Sequence, residues 1–207
     1  MPRDKSFSHE KVNRAIKEEF LAKGYEGASI RSIGEKAGMT SAGLYRHYPD
    51  KAAMFDAMVE PLVKEIKTWI DSHKNKKYSL IESEGTSVRD EVFGESFFDL
   101  IDDVILPRKA EFQMLINCSQ GTKYENFIHD FVIKNQDEFF QAIQLMKDNG
   151  YSVVELREEE LHMLLSAYIT ACFEPIIHDY DDSKIKKYLS TLQEFFMPGW
   201  IRIMGLS

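Results

Sequence analysis

A chain of 207 residues with 43% apolar and 12% aromatic side chains has enough apolar volume for a packed core, which excludes an intrinsically disordered chain. The opening MPRDKSFSHEK lacks the apolar stretch of a secretory leader, and the longest charge-free apolar run, residues 161–173, is too short to span a bilayer; a cytoplasmic protein with no membrane partner is expected. The net charge of −8 is split: residues 1–51 carry ten Lys or Arg against seven Asp or Glu, a net of +3, while residues 52–207 carry 16 against 27, a net of −11. A positive end suited to a polyanion therefore precedes an acidic remainder.

A period near 3.6 residues runs through almost every segment, with no sustained alternation, and predicts an all-α fold. The first helix is expected over residues 8–23: Ser8 caps it, Phe7 staples onto Val12, Val12, Ala15, Ile16 and Phe20 share a face, and Gly24 stops it. A short second helix starts at Ser29 and buries Ile30, Ile33 and Ala37, after which Gly38 supplies the left-handed residue of a tight turn. The third begins at Thr40 and ends at Tyr48, because Pro49 disfavours helical geometry in the residue before it. Asp50 caps a long fourth helix carrying Phe55, Met58, Leu62, Ile66 and Trp69, with a kink at Pro61. Residues 72–87 are polar without an apolar period and read as the loosest connection. Helices follow over 88–105, from Pro107, over 122–148 behind the capping box Thr122-x-x-Glu125 and closed by Asn149-Gly150, over 156–177, and over 183–197 until Pro198-Gly199 interrupts the pattern.

Two short helices joined by a glycine turn, the second behind a hydroxyl cap, form the arrangement that lays its second helix in the DNA major groove. Leu44 anchors that helix in the core and leaves Thr40, Ser41, Ala42 and Gly43 at the end that meets base edges. Gly43 costs about 1 kcal/mol relative to alanine inside a helix, which points to a close approach to the backbone by DNA or by a neighbouring helix. Tyr45, Arg46, His47 and Tyr48 supply donors and charge for phosphate oxygens. Lys51 stands at a helix N-terminus, where backbone N–H groups already favour an anion.

Residues 29–55, SIRSIGEKAGMTSAGLYRHYPDKAAMF, resemble the N-terminal domain of the tetracycline-repressor (TetR) family of transcriptional regulators. The GLYRHYPDK element falls where that family has its recognition helix, the aromatic residue ending it and the lysine of helix four. The resemblance covers the first fifty or so residues by motif. It implies a helix-turn-helix DNA-binding domain over residues 1–51 and a helical effector-binding and dimerisation domain over 52–207. It also implies phosphate contacts from Ser29, Arg31, Tyr45, His47, Tyr48 and Lys51, with Thr40, Ser41, Ala42 and Arg46 nearest the bases. The implied protein is a repressor, homodimeric on a palindromic duplex DNA operator and released by a small-molecule effector. Two positions depart from the pattern: Gly34 stands where alanine is usual, loosening the second helix slightly, and Tyr48 where phenylalanine is commoner.

The remainder offers no catalytic constellation. A di-iron bundle needs two Glu-x-x-His pairs and further glutamates, and only Glu159 with His162 has that spacing. Glu174 and His178 share a face without a third ligand, and no nucleophile signature surrounds Cys118 although His129-Asp130 follows it. No enzyme, metal or cofactor is expected. Trp69, Phe97, Phe98, Phe112, Met114, Tyr124, Phe127, Phe131, Met163, Tyr168 and Phe173 are candidates to line an effector pocket. Leu161, Leu164, Leu165, Tyr168 and Cys172 in one late helix, and Ile185, Tyr188, Leu189, Leu192 and Phe196 in the last, form stripes suited to a dimer interface or to packing within one chain. The rival readings are a redox-responsive regulator using Cys118 and Cys172, and a helical protein-interaction module that does not bind DNA.

Overall fold

The computed structural model describes residues 5–82 and 97–206, which are helical with no strand among them. In chain order the elements are α1 (Lys5–Gly27), α2 (Ile30–Ala37), α3 (Ser41–Leu44), α4 (Lys51–Glu82), α5 (Phe97–Leu100), α6 (Lys109–Asn117), α7 (Phe127–Asp148), α8 (Glu158–Ile177) and α9 (Asp182–Ile203). A π-helical turn, Ile101–Ile105, and a 3-10 turn, Leu106–Arg108, join α5 to α6.

The chain folds as two compact units, the first made of Met1–Lys64 with Arg108–Phe127 and the second of Glu65–Pro107 with Ile128–Ser207. In the first unit, Val12, Ile16 and Phe20 of α1, Ile33 of α2, Leu44 of α3 and Met54, Phe55 and Met58 of α4 form one core. Met114 and Leu115 of α6, with Cys118 and Tyr124 beyond it, complete that core. The Phe55 ring lies edge-on to Phe20 and Tyr25 at 5.1 and 5.6 Å, and the Tyr25 N–H donates to the Cys118 carbonyl at 2.8 Å. In the second unit α8 buries Leu161, Leu165, Ile169, Cys172 and Ile176 at helical spacing, and α9 buries Ile185, Leu189 and Leu192.

Several boundaries differ from the sequence expectation. The chain is already helical at Lys5, so Ser8 lies inside α1 instead of capping it; the side chains of Phe7 and Ser8, and the staple expected of them, lie outside the described ones. Gly24 does break α1, with φ 68° and ψ 171°. The segment read as a loose connection is helical as far as Glu82 because polar contacts do what an apolar stripe does elsewhere. Trp69 stacks on His73 at 3.6 Å, and Lys74 Nζ and the Tyr78 hydroxyl both donate to Gln141 Oε1 at 3.2 Å. Of the helix expected over 88–105, residues 88–96 lie outside the described ones. Helix α7 starts at Phe127 and not at Thr122: the Glu125 carboxylate accepts from the Gly121 N–H and Thr122 Oγ1 from the Tyr124 N–H, both at 3.1 Å, so the expected capping pair stabilises turns ahead of the helix. Helix α9 continues through Pro198 to Ile203. The proline cannot donate to the Glu194 carbonyl four residues back, but both residues are exposed, so that acceptor is open to solvent, while buried Trp200 anchors the turn that follows. No described helix is long and apolar enough to cross a membrane.

Candidate nucleic-acid interface

The first unit holds α2 on α1 through a buried carboxylate. Glu19, only 4% exposed, accepts from Ser32 Oγ at 2.7 Å, Lys36 Nζ at 2.8 Å and the Ser29 N–H at 3.2 Å. The bond from Lys36, joined by those from Ser32 and Ser29, holds its carboxyl below the ordinary carboxylate value against the opposing pull of burial. Ser29 caps α2, its hydroxyl accepting from the Ser32 N–H at 3.4 Å, and Gly38 closes the helix in the left-handed region at φ 70°.

The turn between α2 and α3 depends on Gly34. A Cβ at that position would stand 2.8 Å from the Met39 carbonyl oxygen, inside any tolerable contact, so the glycine that departs from the family pattern is what lets the turn close over α2. Gly43 is different. Its Cβ would meet Met39 Cβ and Thr40 Oγ1 at 3.5 Å, an ordinary contact, so no neighbouring helix requires glycine there.

Thr40 caps α3, its Oγ1 accepting from the Gly43 N–H at 3.1 Å, and Leu44 is wholly buried beneath it. The α-helical part is shorter than expected: after Leu44 the bonds tighten, with Arg46 N–H to Gly43 and His47 N–H to Leu44, before Pro49 ends the turn. Thr40, Ala42, Tyr45, Arg46 and His47 are left exposed, Ser41 is half-buried and Gly43 buried. Arg31 on α2 is also exposed, and its ion pair with Glu35 at 3.0 Å lies in open solvent where a phosphate can replace the carboxylate.

Two of the expected phosphate contacts have partners inside the fold. The Tyr48 ring is buried in the core and its hydroxyl donates to Asn13 Oδ1 at 2.7 Å, so it ties α1 to the end of the α3 turn and does not offer the free donor a phosphate contact needs. Lys51 donates to the carbonyls of Glu26 and Ala28 at 3.2 and 3.3 Å and lies 4.6 Å from the Tyr25 ring centre. Its ammonium therefore serves the segment after Gly24, which leaves it less of its donor capacity for DNA. His9 of α1, which no sequence pattern marks, stands edge-on to His47 at 5.4 Å. A histidine in an exposed helical turn carries no sequence signal until the fold sets it beside α3.

The remaining candidate residues separate. Phe112, Met114, Tyr124 and Phe127 belong to the first unit, where Met114 and Tyr124 are core. In the second, Phe97 lies 5.4–5.8 Å from Phe131, Tyr168 and Phe173, and Phe98 lies 6.1 Å from Tyr168, while Trp69 stacks on His73. Met163 points to solvent, 68% exposed, and lines nothing. Of the dimer stripes, Leu161, Leu165, Tyr168, Cys172, Ile185, Leu189 and Leu192 are buried within their own chain; Leu164 and Tyr188 are exposed and Phe196 is half-buried. The apolar side chains that α8 and α9 do expose are Met163, Leu164, Tyr188 and Phe195.

Both cysteines are buried, and burial raises both thiols, Cys172 to about 12, which favours the protonated form. His178 Nε2 lies 2.9 Å from a Glu174 carboxylate oxygen in an exposed contact, and no group of three or more His, Cys, Asp or Glu able to hold a metal occurs among the described residues.

Two short helices joined by a glycine turn, the second with its following turn exposed, on a chain without a strand among its described residues, make a helix-turn-helix unit of the all-α class. Residues 14–58 match the bacterial regulatory proteins of the tetR family, and this segment is a TetR-family N-terminal domain. That family consists of DNA-binding regulators and not of enzymes. Among solved structures, a TetR-family transcriptional regulator from Mesorhizobium loti is similar at 14% identity, over 94% of this chain and 96% of that one, with a TM-score of 0.47. NalD, the secondary repressor of the MexAB-OprM multidrug efflux pump in Pseudomonas aeruginosa, is similar at 18% identity, over 92% and 97%, with a TM-score of 0.46. No curated protein matches the chain.

Proposed function

We propose that the protein is a transcriptional repressor that binds a palindromic operator as a homodimer and leaves it when a small molecule enters its C-terminal helical region. The observation that carries this reading is the coincidence of the tetR-family match at residues 14–58 with an exposed polar surface on α3 and the turn after it: Thr40, Ala42, Tyr45, Arg46 and His47, flanked by Arg31. Arg46 and Thr40 are assigned to base edges, and Arg31, Tyr45 and His47 to phosphates. DNA binding is assigned to residues 1–51, effector binding and dimerisation to 52–207, in a cytoplasmic protein.

One recognition element reads only a few base pairs, so two are needed, about 34–36 Å apart or a multiple of that. The exposed Met163, Leu164, Tyr188 and Phe195 on α8 and α9 support a dimer through this face, with Phe195 76% exposed. Control is assigned to α4, a single helix with residues in both units, beginning at Lys51 and ending at Glu82. An effector that favours one orientation of its C-terminal half shifts operator affinity by the difference in its affinity for the two states, about 5- to 150-fold for a coupling of 1–3 kcal/mol. The buried, protonated cysteines give the redox reading no support.

The test is a gel-shift titration of the full chain on the DNA upstream of its own coding region at several salt concentrations. Specific binding with log K falling linearly in log salt is expected, and Arg46→Ala should relax sequence preference. Binding that is indifferent to sequence and to salt would refute the assignment.

A further inference from the structure

We propose that Trp200 is the polar anchor of the effector site and that the effector is an uncharged aromatic molecule carrying a hydrogen-bond acceptor; this rests on the reading of the second unit as effector-binding. Trp200 is 5% exposed, and its indole Nε1 is the one buried side-chain nitrogen or oxygen among the described residues with no hydrogen-bond partner. An indole can only donate, and a buried donor without an acceptor keeps its full desolvation cost. Native cores rarely retain such a group without a use for it.

The neighbours do not relieve it. Phe139 of α7 and Tyr168 of α8 lie at ring-centre distances of 5.2 and 6.0 Å, and an aromatic face accepts an N–H only weakly. The Tyr168 hydroxyl shares its hydrogen bond with the Cys172 thiol. Beyond Tyr168 the same set of rings continues to Phe196 at 5.1 Å and Phe97 at 5.8 Å.

This chemistry defines the ligand. It must present a lone pair to Nε1, which a bare cation cannot do. None of these surrounding side chains is charged, so an anion would be buried without compensation. A flat aromatic body suits edge-to-face and tilted rings. A neutral aromatic ketone or amide meets all three conditions.

Benzophenone and its near-isostere diphenylmethane, which lacks the carbonyl, separate the anchor from the hydrophobic site around it. Both are titrated into the 15N-labelled full chain, and the indole signal missing from Trp200→Phe identifies Trp200. Saturable benzophenone binding with a downfield shift of the Trp200 indole proton is expected, about 5- to 10-fold tighter than diphenylmethane. Trp200→Phe should erase that difference. Benzophenone binding that leaves the Trp200 signal unmoved, or is equally tight in Trp200→Phe, overturns the anchor while leaving the effector site standing. Saturable binding of neither compound overturns the effector reading together with the anchor.

Discussion

Glu19 is the residue whose role was least legible in the sequence, where it is one acid in a helix rich in them. The fold buries it and gives it three donors, so Glu19→Ala, which strands Lys36 and two α2 donors, should cost about 2–3 kcal/mol in urea unfolding at pH 7. Its folded carboxyl titrates below the ordinary 4.5, so the unfolded chain takes up the proton first. The contribution is complete above about pH 4.5 and disappears as pH falls through the lower folded value. Unfolding curves between pH 7 and pH 3 should therefore flatten in Glu19→Gln relative to the parent, and parallel curves would show that Glu19 does not carry this linkage. Tyr48 and Tyr45 make the complementary case. Their spacing from the recognition element suggested the same phosphate role, but only Tyr45 is exposed, while the Tyr48 hydroxyl is bonded to Asn13. Tyr48→Phe should cost about 1 kcal/mol of stability and leave the salt dependence of DNA binding unchanged, whereas Tyr45→Ala should weaken binding to all sequences with no change in Tm. Periodicity identified the Tyr48 position; which way its hydroxyl is spent depends on α1, thirty-five residues earlier.

At the scale of elements, the helix-turn-helix was legible because each boundary has a local chemical cause: the Ser29 and Thr40 caps, left-handed Gly38, and Pro49 after Tyr48. The boundaries that moved are those set by distant partners. Residues 72–82 have no apolar stripe of their own, and Gln141 and Glu138 on α7 supply the contacts that Lys74 and Tyr78 need. Likewise Pro198 reads as a stop until a buried Trp200 lies one half-turn beyond it. The two glycines of the motif give a paired test. Gly34→Ala forces a Cβ against the Met39 carbonyl and should lower stability by about 1–3 kcal/mol, measured by thermal melting. Gly43→Ala fits the free protein, so its stability should stay within about 1 kcal/mol of the parent. A fall in DNA affinity in that variant then reports the approach of DNA to the α3 backbone, and unchanged affinity would remove Gly43 from the interface.

For the whole molecule, the sequence stripes on α8 and α9 were visible but their destination was not, since one apolar period serves equally to pack a chain on itself or on its partner. Burial separates the two uses, leaving Met163 and Phe195 outside. Sedimentation of the full chain at micromolar concentration should give a dimer, and Phe195→Glu with Met163→Glu a folded monomer with operator affinity reduced at least tenfold; a dimer unaffected by both changes would place the interface elsewhere. The first unit's core also depends on Met114, Leu115, Cys118 and Tyr124, which the chain supplies long after α1 to α3. On the ribosome, at about 5–20 residues per second, roughly 3–13 s separate the appearance of Lys64 from that of Phe127, and throughout that interval the apolar faces of the recognition unit lack their last wall. The nascent helix-turn-helix is thus held back from cooperative closure until the whole of the second unit's first segment, Glu65–Pro107, has also been made, so a chain released before Arg108 should emerge as a protease substrate and not as a folded N-terminal fragment.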